Sequence, residues 1–150
     1  MENVVEHGYV GGVLCFRGSV VTDQKLGNYS ISLETNNEGF AKEFQKTLEF
    51  ISGKPVNFSQ KQSSFLVRLY GKTEIENLVS LLDLHATVPE VAFGNEEFRR
   101  GFLRGFFDAG GIVKSRVVTR QGKKQKRRMI RVFSRNEDLL KKISLLLQLE

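Results

Sequence analysis

One cysteine, two histidines and two prolines are all that the 150 residues hold of those types, and each scarcity removes a class of protein. Cys15 alone cannot form an intrachain disulfide, and His7 and His85 lie too far apart in sequence for the ligand spacing of a structural zinc site. Stability therefore rests on packing. No apolar run approaches the ~20 residues of a membrane span. The first residues, MENVVEHGYV, lack the basic start and continuous apolar core of a secretory signal, which predicts an intracellular protein with no membrane partner. Asn28-Tyr29-Ser30 and Asn57-Phe58-Ser59 match a glycosylation sequon, and without a secretory route they read as chance. With 40% hydrophobic and 27% charged residues, the composition is that of one compact globular chain rather than a disordered one.

The charge is unevenly placed. Residues 1–94 carry 8 Lys and Arg against 11 Asp and Glu, whereas residues 95–150 carry 15 against 6. A basic region confined to one part of a fold suits a polyanion partner, although a basic solvated face produces the same count.

The chain also repeats itself. Residues 8–20 (GYVGGVLCFRGSV) overlay residues 101–113 (GFLRGFFDAGGIV) at an offset of 93, and residues 33–42 (LETNNEGFAK) overlay 132–141 (VFSRNEDLLK) at an offset of 99. The six extra residues of the second copy are expected in a longer turn. Two copies at so long a period indicate divergent duplication, not a solenoid. In the first copy a helix is expected from Val4 to Phe16, ending at Gly18. Strands follow over Val20–Gln24 and Tyr29–Thr35, then a helix capped by Asn37 with Phe40, Phe44, Leu48 and Ile51 on one stripe. After the Gly53–Pro55 break come strands Val56–Gln60 and Phe65–Tyr70. A helix opened by Thr73-x-x-Glu76 then runs to about His85. In the second copy Asn95 caps a helix to about Ala109, a hairpin spans Ile112–Ser134, and Ser134-x-x-Glu137 opens a last helix. The domain reading is thus a first repeat over 1–85, a connector over 86–94 containing Pro89, and a second repeat over 95–150. The fold class is α+β: a duplicated αββαββα unit whose second copy has only αββα. That incomplete copy predicts a homodimer, a C-terminal half lying elsewhere, or a mobile C-terminus.

Gly8, Gly11 and Gly12 in one short helix each cost about 1 kcal/mol relative to alanine, so a close contact must offset them. Gly8-x-x-x-Gly12 and Gly101-x-x-x-Gly105 occupy equivalent positions in the two copies. Two helices packed backbone to backbone across a pseudo-twofold axis would require that arrangement. Residues 10–18 (VGGVLCFRG) and 103–111 (LRGFFDAGG) resemble the motif of the LAGLIDADG homing endonuclease family. The approach to the second copy, VPEVAF at 88–93 and EFRRGFLRGFFDA at 97–109, resembles the connector and second motif of its two-repeat, single-chain members. The resemblance implies a central pair of motif helices and a saddle-shaped antiparallel sheet whose concave face lies along double-stranded DNA.

In that family the penultimate residue of each motif is an acid that holds a divalent metal for phosphodiester cleavage. Those positions are Arg17 and Gly110 here, and neither ligates a hard cation. Asp108 matches the motif's other aspartate, at the helix end rather than on the metal. The expectation is a DNA-binding protein that has lost cleavage, with no intact catalytic residue and no cofactor. The alternatives are an Mg-dependent site-specific DNA endonuclease with relocated acids, such as Asp23 or Glu34, and a maturase that binds structured intron RNA.

Between Ala109 and Asn136 stand ten basic residues and no acid: Lys114, Arg116, Arg120, Lys123, Lys124, Lys126, Arg127, Arg128, Arg131 and Arg135. Alternation puts Lys114, Arg116, Val118 and Arg120 on one face of the first strand, and Arg127, Met129, Arg131 and Arg135 on one face of the second. Val113, Val117, Ile130 and Val132 point oppositely and are expected to pack under the helices. A basic two-stranded ribbon fits the major groove, though lysine on a strand also serves simply to block edge pairing. Lys123, Lys124 and Lys126 are expected in the turn as phosphate contacts, and Arg116, Arg120 and Arg131 toward guanine edges. The first copy is poorer: Val21, Asp23 and Lys25 share one face, Ser30, Ser32 and Glu34 another, with Lys61 and Arg68 adding charge. The phenylalanines, as in Phe40/Phe44 and Phe102/Phe106, sit at core spacing rather than as base-stacking rings. Arg99, Arg100 and Arg104 are expected to face solvent.

Overall fold

Two helices whose glycines face each other set the architecture. In the computed structural model, which describes residues 2–82, 84 and 88–150, α1 spans Val4–Phe16 and α5 spans Glu96–Gly110. A methyl group on Gly8 would meet the Phe98 carbonyl and the Phe102 amide, and one on Gly101 would meet the Val5 carbonyl and the Tyr9 amide. The next turn repeats the exchange: Gly12 lies against Phe102 and Phe106, and Gly105 against Tyr9 and Val13. Every one of these pairs maps onto its counterpart at the offset of 93, which makes the contact twofold. Around it Val10, Val13, Phe98, Phe102 and Phe106 are fully buried, each contributing about 1.5–3 kcal/mol of burial.

The first half follows the order α1, β1 (Ser19–Asp23), β2 (Asn28–Thr35), α2 (Glu38–Ser52), β3 (Asn57–Lys61), β4 (Ser64–Tyr70) and α3 (Lys72–Leu82). The four strands form one antiparallel sheet in the order β1-β2-β4-β3. Its inner face, Ile31, Leu33, Val67 and Leu69, is buried beneath Phe44 and Leu48 of α2 and Ile75 and Leu82 of α3. Asn37 caps α2 by accepting from the Phe40 amide at 3.0 Å, and Gly53 ends it at φ 67°. Thr73 does not cap α3 as its spacing predicts. The helix starts one residue earlier, after Gly71 at φ 144°, so Thr73 lies inside the first turn. The expected end of that helix at His85 and the start of the connector at residue 86 lie outside the described residues.

The connector holds a short helix, α4 (Val91–Gly94), and Asn95 then caps α5 by accepting from the Phe98 amide at 2.9 Å. β5 (Ile112–Arg120) and β6 (Lys123–Arg131) form a separate two-stranded sheet, and α6 (Glu137–Gln148) closes the order. The antiparallel strands thus fall into two sheets, one of four strands and one of two. The six extra residues lengthen the strands, not the turn. Gln121 and Gly122, at φ 52° and 75°, make a two-residue connection of the kind that matches strand twist, against four turn residues between β1 and β2. Ser134 does not cap α6 either. Asn136 does, accepting from the Leu139 amide at 3.1 Å, while Ser134 Oγ accepts from the Asn136 amide.

Of the expected oily underside of the hairpin, Val132 packs against the core but the strand residues before it are left open. Val113, Val117 and Ile130 are 71%, 65% and 57% exposed. At the offset of 99, Ile130 is the counterpart of Ile31, which is fully buried. Replacing Ile31 with alanine is therefore expected to cost about 3 kcal/mol, and the same change at Ile130 less than about 0.5 kcal/mol. Chemical denaturation of the two variants checks this directly.

Arg99 departs from the expectation of a solvent-facing residue. It is 8% exposed, donates to the Ala92 and Phe93 carbonyls at 3.3 Å, and pairs with Glu150 at 2.9 Å. Arg100 also reaches Glu150, at 3.1 Å, and its hydrogen bond, with that of Arg99, holds the Glu150 carboxyl below the usual range. Arg99→Met strands the buried Ala92 carbonyl and the partly buried Phe93 carbonyl and is expected to cost about 2 kcal/mol, roughly 4–8 °C in the melting temperature. The carboxylate's share of this clamp is present above its ordinary pKa and is lost as pH falls through the lowered value. The melting difference between wild type and Arg99→Met should therefore narrow in acid.

Candidate nucleic-acid interface

Register decides which cations act together. β5 and β6 pair Lys114 with Met129, Arg116 with Arg127, Val118 with Gln125, Arg120 with Lys123 and Ile112 with Arg131. Directly opposed residues share a face, so Lys114, Arg116, Arg120, Lys123, Arg127 and Arg131 form one basic surface. The other face pairs Val113 with Ile130, Ser115 with Arg128, Val117 with Lys126 and Thr119 with Lys124. Lys123, Lys124 and Lys126 are thus strand residues rather than turn residues, and Lys124 and Lys126 lie opposite the main cluster. Arg135 falls beyond the end of β6, in the segment before α6, and does not share the strand face. None of the described carboxylates pairs with the six clustered cations.

The outer face of the four-stranded sheet is polar and nearly neutral. Ser30 and Ser32 of β2 stand between Val21 and Ser19 of β1 and Tyr70 and Arg68 of β4, and Arg68 in turn opposes Asn57 of β3. Lys61 joins this face opposite Ser64. Arg68 donates to the Tyr70 hydroxyl at 3.1 Å and lies over its ring. Lys25 does not share the β1 face. The strand ends at Asp23, whose carboxylate accepts from the Lys25 and Leu26 amides at 3.0 and 3.1 Å and so turns the chain.

The two halves meet at the feet of α1 and α5. Arg17, Asn36, Asn37, Asp108, Gly110 and Phe133 are among the residues lining an open cleft of about 370 Å³ there. Arg17 continues α1 in extended conformation, is exposed, and makes no ion pair or side-chain hydrogen bond with the described chain. A Cβ at position 110 would lie 2.5–2.6 Å from ring carbons of Phe16, and that ring packs edge-on against Phe106 at 5.4 Å. The Phe16 ring therefore occupies the space that a side chain at position 110 would need. Asp108 accepts from the Tyr9 hydroxyl at 3.1 Å with Arg104 3.9 Å away. Burial, then the Asp108 charge and hydrogen bond, keep that hydroxyl protonated far above its ordinary range. Of the other acids considered, Asp23 is tied into its turn and Glu34 accepts from Ser64 Oγ at 2.9 Å.

No group of three or more His, Cys, Asp or Glu that could hold a metal occurs among the described residues. A cation, a glycine and an aromatic ring are not a donor set for Mg2+ or Ca2+. A roomier groove of about 540 Å³ between α1, α2 and α5 is lined by both signs of charge, Glu6, Glu43 and Glu49 with Lys46 and Arg104, and so carries no polyanion field. Among the described residues no helix is long and apolar enough to cross a membrane.

Paired glycine-faced helices with flanking antiparallel sheets define a fold of the homing endonuclease kind, and comparisons with known proteins agree. Residues 97–150 match the LAGLIDADG-like domain family. A structure of mesophilic variants of the homing endonuclease I-DmoI superposes at a TM-score of 0.70, 16% identical, covering 98% of this chain and 78% of that one. A structure of I-DmoI in complex with DNA and Ca gives a TM-score of 0.71 at 16% identity, covering 98% and 73%. An I-SmaMI variant gives 0.59 at 12% identity, covering 95% and 71%. Residues 97–150 thus match a LAGLIDADG-like domain, and the chain as a whole shares the fold of these homing endonucleases. It is also 32% identical over 120 residues to the uncharacterized protein MJ0314 of Methanocaldococcus jannaschii, a match that takes in 76% of this chain. It spans only 43% of that relative's length.

Proposed function

We propose that this protein binds double-stranded DNA through the basic face of the β5–β6 hairpin and does not cleave it. The register of that hairpin carries the reading: six cations share one solvent face that no described carboxylate neutralises. Such a ribbon supplies phosphate affinity from all its cations and base contacts from its arginines. The fold shared with I-DmoI, which has been captured on DNA with Ca, supports the same partner. Residues 1–85 and 95–150 act as two repeats joined by 86–94. Lys25, Lys61 and Arg68 extend contacts onto the first repeat's polar sheet, and Arg135 flanks the hairpin. Absence of cleavage and of a metal cofactor is supported by Arg17 and Gly110 at the motif's acid positions and by the Phe16 ring over Gly110.

Selection of random duplex DNA in Mg2+, with the ends of bound fragments sequenced, tests the reading. One enriched intact site is expected. Enrichment with defined cuts would make the protein an Mg-dependent endonuclease, and preference for a structured RNA over any duplex would favour the maturase role. The uncovered Val113, Val117 and Ile130 favour a second copy docking on this face. Sedimentation should then show a dimer, and a monomer at all concentrations would remove that part of the proposal.

A further inference from the structure

We propose that Arg17 binds a backbone phosphate at the seam between the two halves, where the family motif has a metal-holding acid, and that DNA binding is consequently independent of divalent cations. The inference rests on the duplex-DNA reading above. The guanidinium is exposed at the point where α1 gives way to β1 and has no acid or hydrogen-bond acceptor of its own in the described chain. It lies at the carbonyl ends of α1 and α5, which carry partial negative charge and favour a cation there. In a metal-holding site those ends and two carboxylates would face the ion. Here one carboxylate position is a cation, and the other is a glycine beneath the Phe16 ring.

Of the polar residues that line the cleft with Arg17, Thr35, Asn37 and Asp108 have hydrogen-bond partners of their own. Asn37 has its side-chain oxygen engaged by the Phe40 amide, leaving its amide nitrogen as a donor. Asp108 is held by Tyr9 and Arg104. A planar fork of five N–H donors matches phosphate geometry. The seam joins the basic hairpin to the neutral sheet, so a phosphate held there would fix how a duplex lies across both halves. Phosphate contacts set position and orientation without reading bases.

Fluorescence anisotropy with a labelled duplex, over a series of salt concentrations in EDTA and in Mg2+, tests this. Wild-type affinity in EDTA is expected to be at least as high as in Mg2+, since Mg2+ only competes for phosphates. Arg17→Ala is expected to bind about 5–10-fold more weakly, with the slope of log affinity against log salt shallower by about one. Arg17→Lys should keep the wild-type slope. Thermal melts of both variants should match wild type, because the side chain is exposed and has no partner among the described residues. Binding by Arg17→Ala with an unchanged slope, or wild-type binding that requires a divalent ion, would overturn the inference while leaving the DNA reading standing. Wild-type failure to bind any duplex in either buffer would instead sink the DNA reading itself.

Discussion

Gly12→Ala is expected to destabilise the protein by about 3 kcal/mol, roughly 6–12 °C in melting temperature. The added methyl would collide with the Phe102 carbonyl and lie 2.8 Å from the Phe102 carbonyl carbon and the Phe106 amide nitrogen. All three are backbone atoms of α5, so no rotamer change can yield, and the two helices must separate along their whole contact. Gly105→Ala meets the Tyr9 backbone in the same way and should cost as much. Gly11 is the internal control. A methyl there finds only side chains, Leu82 at 3.5 Å and Phe102 at 3.6 Å, and relief of glycine's helix penalty should leave Gly11→Ala neutral or more stable by up to about 1 kcal/mol. Circular dichroism melts of the three variants decide it. Equal losses at all three positions would mean that backbone approach does not limit the helix spacing.

The largest effect on binding is expected from the triple variant Arg116→Ala, Arg127→Ala and Arg131→Ala. Removing three phosphate- or base-contacting charges should flatten the salt dependence by about two to three and weaken duplex binding about 100–1,000-fold near physiological salt. Lys124, Lys126 and Arg128 offer a matched comparison, because they lie on the opposite face of the same hairpin. Their triple alanine variant removes the same charge but is expected to lose about tenfold or less, through the weakened long-range field alone. If the two triples bind alike, the register-defined face is not the interface and the hairpin acts only as a diffuse positive charge. Neither triple should change the melting temperature beyond a degree or two, since Arg116, Arg131, Lys124, Lys126 and Arg128 are exposed and Arg127 is only partly covered.

Much of the local structure was legible because its signals are local. The first helix over Val4–Phe16, the caps Asn37 and Asn95 and the break at Gly53 all rest on side chains a few residues away, and the structure has each of them. Thr73 and Ser134 mark the limit of the same logic. Each begins a plausible capping pattern, but Gly71 and Asn136 supply the actual starts a residue or two to one side. The buried Arg99 had a readable signal. It stands three, four and seven residues before Phe102, Leu103 and Phe106, on the apolar stripe of its helix, where an arginine needs internal acceptors. The length of the second hairpin was readable too, since its alternation runs without interruption to Arg120 and only Gln121-Gly122 breaks it.

The sequence by itself determined the paired glycine helices, the presence of Arg17 and Gly110 near the ends of the two motif-like segments, and the concentration of positive charge between residues 109 and 136. These are properties of residue identity and spacing. Only the tertiary structure decided which six of those cations share a face, that Phe16 covers Gly110, that Lys25 and Arg135 stand off the strands, and that Val113, Val117 and Ile130 lie open while Ile31 is sealed. Those outcomes depend on strand register and on which distant element lies over a surface. An alternating pattern states that a strand has two faces, but whether either one is covered is set by residues elsewhere in the chain.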